Sequence, residues 1–239
     1  MAVRALARLR AAPSTGAVGR TWRRAGTLRR PGARGVSSAV VLGVETSCDD
    51  TAVGVVVDGG ASRTGRAAVA AELVSSQFAE HASHGGVVPL LAARCHAANL
   101  PVVMDAVMAS AAASEELGLV GADDAPAGVE DAERSITAVA AAAGPGLALC
   151  LKIGFEEAMA TARRLRVPFY GINHLEAHAL VPRLVDPSIE FPFLVLLASG
   201  GHTMLVVARG VGDYQRIGNT LDDSVGEAFD KVARLIGAE

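Results

Sequence analysis

Two histidines near the middle of the chain, His174 and His178, have the spacing of a metal site. Residues four apart on a helix lie on one face, with Cβ atoms about 5–6 Å apart. Because a metal–nitrogen bond is about 2.0–2.1 Å long, both imidazoles can reach one ion. The apolar residues 170–172 just before them predict a strand end, where α/β proteins place their sites. Two ordinary helix histidines would have the same spacing, so the pair alone leaves metal binding open.

The position of Glu176 argues against a metallopeptidase. The order is His-x-Glu-x-His, so Glu176 points away from the face that the two histidines share, and it matches neither His-Glu-x-x-His nor His-x-x-Glu-His. A zinc peptidase acting through His174 and His178 would therefore lack its general base. We keep this function only as an alternative, which proteolysis abolished by His174→Ala would revive.

Two loops between predicted strands have the composition of ligand-binding segments. The loop 46–50 carries two hydroxyls and two carboxylates, groups that hold phosphate oxygens or hydrated magnesium: Thr46, Ser47, Asp49 and Asp50. The loop Ser199-Gly200-Gly201 has glycines that allow positive φ and close approach of a ligand, and its N–H groups can face an anion. A polar turn and a glycine hairpin turn are the plain alternatives.

Hydrophobic patterning begins abruptly at Val40 and predicts an α/β protein. Short apolar runs bounded by turn residues predict strands at 40–45, 51–58, 67–75, 135–142, 167–173, 193–198 and 202–208. Longer patterns predict helices at 90–117, split or kinked at Pro101, then at 147–165, 174–183 and from 221 onward. Residues 118–134 predict a surface connection, and 81–89 a loop with His81 and His84, for which solvated histidines are commoner than ligands.

The first 39 residues differ from the rest of the chain in charge. They contain nine arginines, no lysine and no carboxylate, whereas residues 40–239 carry 13 basic and 25 acidic residues. An arginine-rich segment without acids is typical of a mitochondrial transit peptide and predicts a location in the matrix. A basic arm that binds nucleic acid is the alternative. Fold analysis therefore starts at residue 40.

Cysteine usage and hydropathy set further limits. Cys48, Cys95 and Cys150 are odd in number and far apart, which argues against a disulfide framework and a thiolate zinc site. No uninterrupted apolar run reaches the ~18 residues that suggest a membrane span, so we predict none.

Taken together, six segments resemble the TsaD family, the tRNA threonylcarbamoyladenosine synthases, and most closely its mitochondrial branch. These segments are VLGVETSCDDTAVGVV (41–56), SQFAEHASHGGVVPLLAARCH (76–96), AAGPGLALCLKIG (142–154), INHLEAHAL (172–180), FPFLVLLASGGHT (191–203) and TLDDSVGEAFDKVARLIG (220–237). They follow one another in unbroken order over about 40–237, which is far more specific than any one motif.

The resemblance implies a fold of the actin/Hsp70/sugar-kinase type, with two ribonuclease-H-like α/β halves facing a nucleotide cleft. We expect a transit peptide at 1–39, a first half at 40–173, and at 174–239 the metal-ligand helix with the start of an incomplete second half. The implied enzyme is an acyltransferase that moves a threonylcarbamoyl group from threonylcarbamoyl-AMP to adenosine 37 of ANN-decoding mitochondrial tRNAs. A separate YrdC/Sua-type enzyme makes the donor, and we expect a homodimer.

The resemblance also assigns residues. His174 and His178 would be the two histidine ligands of one divalent metal ion, zinc or iron. The donor, or ATP or ADP, would be held by a larger set: Leu197, Ala198, Ser199, Gly200, Gly201 and Asp230. The 46–50 loop matches the first phosphate loop of this fold. No catalytic side chain is assigned, because the adenosine amine can attack directly.

The chain departs from the family pattern at two positions and, with more consequence, at its end. Ala177 stands where glycine is usual and Ala198 where valine is usual, both tolerable. Family members continue for well over a hundred residues, with another glycine-rich loop and a third, aspartate metal ligand. We therefore expect a truncated chain with an incomplete metal site and doubtful activity. A non-catalytic dimerising or regulatory fragment, and an ATPase or kinase of the same fold, are the alternatives. The acidic balance of 40–239 fits tRNA poorly unless local arginine clusters supply the contact.

Overall fold

The computed structural model describes residues 39–59, 67–119, 121 and 125–237. The predicted transit peptide at 1–39 falls almost wholly outside these residues. The described chain forms two compact units, divided between Ala177 and His178. The predicted boundaries at 39/40 and 173/174 stay predictions.

The first unit contains five strands and most of the helices. The strands are β1 (Val40–Glu45), β2 (Asp50–Val57), β3 (Ala68–Ser76), β4 (Ala138–Gly144) and β5 (Phe169–Asn173). The helices are α1 (Phe78–Ala82), α2 (Pro89–Ala112), α3 (Val129–Ser135), α4 (Ala148–Leu165) and α5 (His174–Leu180), the last of which continues across the division.

The five strands form one mixed sheet in the order β3-β2-β1-β4-β5. β1 pairs antiparallel with β2 and parallel with β4, and β5 extends the parallel part. β1 is buried along its whole length, and β4 along its first five residues, as expected of apolar strands covered on both faces. Helix α2 packs on β2 and β3, and α4 on β4. The carboxyl ends of β1 and β4 therefore meet at one edge, where the predicted loop 46–50 begins.

Helix α2 runs unbroken for 24 residues with Pro101 inside it, so the predicted split at Pro101 is wrong. A proline inside a helix removes one hydrogen bond and strains the backbone. The apolar face of α2 offsets this cost, because it is buried in the core over several turns, at Ala92, Leu100, Val103, Met104, Val107 and Ala111.

The second unit contains one sheet and two helices. They are α6 (Pro182–Val185), β6 (Phe193–Ala198), β7 (Thr203–Gly210), β8 (Asp213–Asn219) and α7 (Val225–Ile236). The strands form an antiparallel sheet in the order β6-β7-β8. Along β7, the buried residues Met204, Val206 and Ala208 alternate with more exposed ones, the pattern of a sheet covered on one face.

Three elements were not predicted from the sequence. His81 lies in α1 and is buried, so it is not a solvated loop histidine, whereas His84 is exposed as expected. Helix α3 occupies part of the predicted connection 118–134; Asp131 stabilises its start by accepting the Gly128 N–H. Strand β8 has a largely polar sequence and is defined by its pairing with β7. The predicted helix 174–183 is divided into α5 and α6 at Pro182.

The predicted α/β class is confirmed by this arrangement. Within the described ranges, no helix has both the length and the apolar character needed to cross a membrane.

The core of the first unit makes a direct stability prediction. Leu100 on α2 is 1% exposed and lies in the main apolar cluster, whereas Leu90 on the same helix is 57% exposed. Leu100→Ala removes buried apolar surface and leaves a cavity, so we expect a loss of about 2–5 kcal/mol of unfolding free energy. Leu90→Ala should change it by no more than about 0.5 kcal/mol. Urea unfolding of the two variants measures the difference, and equal losses would contradict the assigned core.

Candidate functional site

The loop that joins β1 to β2 is held by its backbone carbonyls. Three consecutive carbonyls accept hydrogen bonds from three different parts of the first unit: Ser47 from the Leu147 N–H (2.7 Å), Cys48 from His96 Nε2 (3.0 Å) and Asp49 from the Gln77 N–H (3.1 Å). Leu147 precedes α4, and a Cβ on Gly146 would lie 2.7 Å from the Ser47 oxygen. Glycine is therefore required there for α4 to approach the loop.

Two backbone N–H groups of this loop, unlike the carbonyls, lack a hydrogen-bond partner in the described chain. Among the residues that the structure describes, no acceptor is found for the N–H groups of Cys48 and Asp49. Cys48 and Asp50 are exposed, and Asp49 is half-buried. Successive backbone N–H groups without a protein acceptor, as in turns and nests, are suited to hold an anion.

The hydroxyl side chains at the start of the loop anchor it to the fold. Thr46 and Ser47 are both buried, and the Thr46 hydroxyl donates to the Cys150 carbonyl on α4 (2.8 Å). Of the four side chains predicted for a phosphate loop, Asp49 and Asp50 are thus the ones that reach the surface.

Cys48 is a poor nucleophile in this setting. Partial desolvation of its thiol against the loop, together with the hydrogen bond and charge of the neighbouring Asp49, raises the pKa to about 12. The thiolate is the reactive form of cysteine, and at neutral pH it is almost absent here. This supports the expectation that the site contains no covalent cysteine chemistry.

Glu45, the last residue of β1, joins the loop to the predicted metal helix. One carboxylate oxygen accepts the Ser47 N–H (2.5 Å) and the other lies 3.0 Å from His174 Nδ1. Burial raises the pKa of Glu45, but its hydrogen bonds with His174 and Ser47 outweigh this and hold the pKa below the usual range. The carboxylate is therefore ionised and accepts the Nδ1–H of His174, which fixes the orientation of the ring.

His174 and His178 lie at i and i+4 on the continuous helix α5, as predicted. A histidine whose Nδ1–H is bound by a carboxylate is the usual form of a metal ligand, because the bond fixes the tautomer and the ring orientation. The donor set thus fits two positions of a zinc or iron ion. Over the described ranges no cluster of three or more His, Cys, Asp or Glu side chains is found that could hold a metal.

In the second unit, the predicted ligand loop Ser199–Gly201 is the turn between β6 and β7. The Ser199 N–H donates to the His202 carbonyl (2.9 Å), which closes the hairpin. Neither Gly200 nor Gly201 has positive φ, so these glycines are not required by backbone conformation. Both are exposed, and an added Cβ on either would meet nothing within 4 Å.

Groups at the start of α7 donate hydrogen bonds to two carbonyls of this turn. Ser224, the N-cap of α7, donates its hydroxyl to the Gly200 carbonyl (2.6 Å) and accepts the Glu227 N–H (3.3 Å). The Gly226 N–H donates to the Ser199 carbonyl (3.2 Å). The helix predicted from 221 onward is observed, and it begins at Val225.

The other predicted ligand residues of this unit flank the turn in sequence or lie on α7. Leu197 is half-buried and Ala198 exposed at the end of β6, and Asp230 is exposed on α7. The neighbouring Lys231 pairs with Asp223 and Glu227. The roles of Leu197, Ala198 and Asp230 in ligand binding stay predictions.

Sequence analysis missed Glu45 and His96 as parts of the site. Glu45 had one recognisable signal, since a carboxylate ends an otherwise apolar buried strand. His96 had none, because it lies on α2 and reaches Cys48 across 48 residues of sequence.

Glu45→Gln should invert the tautomer of His174. The Ser47 N–H needs an acceptor, so the glutamine oxygen stays there and its NH2 group faces His174 Nδ1. That nitrogen must then accept, which moves the proton to Nε2, the metal-binding atom. We expect the change in two-bond ¹H–¹⁵N spectra of the metal-free chain, and a loss of Zn²⁺ affinity of about 10–100-fold.

The control for this experiment is Glu80→Gln, on the exposed surface of α1. It should leave both the tautomer and the affinity unchanged. A His174 ring without a proton on Nδ1 in the unsubstituted chain would contradict the assigned geometry.

Gly226→Ala should destabilise the second unit although alanine favours helices. Its Cβ would lie 2.7 Å from the backbone of Ser199 and Gly200, which cannot rotate away. We expect a loss of about 1–3 kcal/mol from overpacking. Gly200→Ala, which meets nothing, should change stability by about 0.5 kcal/mol or less. Thermal unfolding followed by circular dichroism compares them; a Gly226→Ala chain as stable as the original would overturn the close packing.

Comparison with known proteins places these features in one family. A family model described as tRNA N6-adenosine threonylcarbamoyltransferase matches residues 68–239. Proteins of that name are 48% identical over 197 residues in Methylobacterium sp. (strain 4-46) and 46% identical over 197 residues in Brucella anthropi. The alignments cover 82% of this chain and 50% and 49% of the relatives, so the chain spans about half the length of the curated relatives it matches.

Solved structures give a weaker likeness. YeaZ from Pseudomonas aeruginosa is 16% identical, with a TM-score of 0.41, and the match covers 76% of this chain and 66% of that chain. These values add nothing to the assignment. The family match extends over well more than half of the chain, and the relatives are far above 30% identity. The chain therefore belongs to the TsaD family of tRNA N6-adenosine threonylcarbamoyltransferases, and its fold class is α/β.

Proposed function

We propose that this chain supplies the nucleotide loops and two metal ligands of a tRNA threonylcarbamoyladenosine synthase. The observation that carries the proposal is the family match over residues 68–239, together with homologues of about 47% identity. The reaction joins the carbonyl carbon of threonylcarbamoyl-AMP to the N6 amine of adenosine 37. The bond from that carbon to the phosphate oxygen breaks, AMP leaves, and the amine loses a proton.

The first unit supports this chemistry through its loop amides. The N–H groups of Cys48 and Asp49 are proposed to bind phosphate oxygens of the donor, or of ATP or ADP. No residue of the loop has to act as a nucleophile, because the amine attacks directly and Cys48 stays a thiol. In the second unit, Gly200 and Gly201 are exposed, and their N–H groups can stabilise negative charge that develops on the donor.

His174 and His178 are the proposed ligands of a zinc or iron ion. When bound, such an ion acts as a Lewis acid on a phosphate or carbonyl oxygen. Glu45 contributes by accepting the Nδ1–H of His174 and holding the ring in place. Because no group of three or more His, Cys, Asp or Glu side chains in the described part of the chain could hold a metal ion, we expect this chain alone to bind metal weakly and to lack turnover.

The biological setting is proposed from the sequence. The arginine-rich residues 1–39 favour import into the mitochondrial matrix, where the substrates would be ANN-decoding tRNAs. A YrdC/Sua-type enzyme would supply the donor, and the working enzyme would be a homodimer. A non-catalytic role of this chain in dimerisation or regulation is the second candidate, favoured by the absence of a three-ligand metal cluster among the described residues.

The decisive experiment compares this chain with a chimera that adds the carboxyl-terminal half of the Methylobacterium relative. Each receives tRNA, threonine, bicarbonate, ATP and a donor-making enzyme, and modified adenosine is counted by mass spectrometry. We expect turnover by the chimera only, and a loss of at least about 100-fold with His174→Ala, as for residues acting on the transition state.

The matched control is His84→Ala, which changes an exposed histidine and should leave turnover within about twofold of the unsubstituted chimera. Turnover by the short chain would refute the incomplete site. A folded chimera without turnover would refute the transferase, and ATP hydrolysis or phosphorylation of a small hydroxyl compound in its place would favour an ATPase or kinase.

A further inference from the structure

We propose that His96 on α2 is a positioning residue that sets the direction of the Asp49 amide in the loop between β1 and β2. The value of that amide as a phosphate donor rests on the proposed function, whereas the positioning itself does not. The nearest groups in sequence give no hint of this role, because His96 and the loop meet only through the packing of α2 on the sheet.

The hydrogen bonds of His96 determine a single tautomer. The ring is fully buried, with Nε2 3.0 Å from the Cys48 carbonyl and Nδ1 2.7 Å from the Thr51 hydroxyl. A carbonyl can only accept, so Nε2 carries the proton and Nδ1 accepts from Thr51. Burial lowers the pKa of His96, although Glu45, Asp49 and Asp50 act in the opposite direction, so this neutral form prevails near pH 7.

Peptide geometry converts a held carbonyl into a directed amide. In a planar trans peptide, the C=O of one residue and the N–H of the next point in opposite directions. The Cys48 carbonyl is directed into the protein by His96, so the Asp49 N–H is directed away from it. By the same rule, the hydrogen bond from the Leu147 N–H to the Ser47 carbonyl directs the Cys48 N–H away from Leu147. This accounts for the two neighbouring amides that have no acceptor within the described chain.

His96 is distinguished from the other two anchors by chemistry. The Ser47 and Asp49 carbonyls are held by backbone amides of Leu147 and Gln77, which survive most substitutions. Within the described residues, His96 is the side chain that holds the carbonyl between them. Removing its donor therefore releases the central peptide of the loop and leaves its two neighbours in place.

Three substitutions of His96 distinguish the loss of its hydrogen-bond donor from the loss of its side-chain volume. His96→Gln places an amide nitrogen near the position of Nε2 and keeps a donor for Cys48. His96→Asn reaches only the position of Nδ1, and His96→Leu offers no donor. Leu100→Ala, one turn further along α2 and equally buried, is the control for general destabilisation.

The readout is the alkylation rate of Cys48 by iodoacetamide at pH 8, followed by peptide mass spectrometry in the full chain. The Cys48 thiol has a pKa of about 12 in its present setting beside Asp49, so it reacts slowly. We expect at least a tenfold faster rate in His96→Asn and His96→Leu, and a rate within twofold of the original in His96→Gln and Leu100→Ala. Cys150, which is buried, reports global unfolding.

Two results would overturn the proposal. One is an unchanged Cys48 rate in both His96→Asn and His96→Leu, or an equal increase in Leu100→Ala. The other is a metal-free ¹H–¹⁵N spectrum in which His96 carries its proton on Nδ1.

Protection of Cys48 by ADP tests the connection to function separately. We expect ADP to slow alkylation of the original chain and of His96→Gln, but not of His96→Asn. A different outcome is that the Cys48 alkylation rates depend on a donor at position 96 as expected while ADP protects neither the original chain nor any variant. That result would support the positioning role and refute the phosphate role of the loop.

Discussion

The carboxylate of Glu45 connects the two parts of the site in the first unit. One oxygen holds the Ser47 amide and the other holds the imidazole of His174, 129 residues away in sequence. A buried carboxylate is costly unless it is paired and hydrogen-bonded, and here both oxygens have partners. The same carboxylate fixes the start of the loop and the tautomer of a proposed metal ligand. If β1 and α5 moved independently, the buried charge of Glu45 would be left unpaired.

In both units, a turn between strands is held through its backbone carbonyls. In each, the turn between the first two strands has a carbonyl bonded to the amide at the start of a helix, Ser47 to Leu147 and Ser199 to Gly226. In each, a glycine at the helix start allows the close approach, because a Cβ on Gly146 or Gly226 would lie 2.7 Å from backbone atoms of the turn. Because a carbonyl and the following amide point in opposite directions, tying the carbonyls inward is what directs donors outward. The direction of the amides in both turns thus depends on contacts made by the carbonyls.

Sequence patterns predicted most of the strands but not the elements defined by pairing or local capping. The bounds of β1 and β6 were predicted as observed, because each is an apolar run ended by turn residues. Strand β8 was missed because its side chains are mostly polar, so only the ladder with β7 identifies it. Helix α3 was missed because its seven residues include only two apolar ones, Val129 and Ala132, which give too short a periodic signal, and its start depends on the Asp131 side chain. Pro101 suggested a break in α2 that the buried face of the helix overrides.

The sequence by itself determined the family, the α/β class and the spacing of His174 and His178, because these depend on residue order and on the period of a helix. It also determined the polar composition of the turns. Only the tertiary structure decided that Glu45 faces His174, that His96 holds the Cys48 carbonyl, and that Thr46 is an anchor rather than an exposed ligand group. The physical reason is that each of these bonds joins residues far apart along the chain. Their partners are chosen by how β1, α2, α4 and α5 pack, which no local pattern encodes.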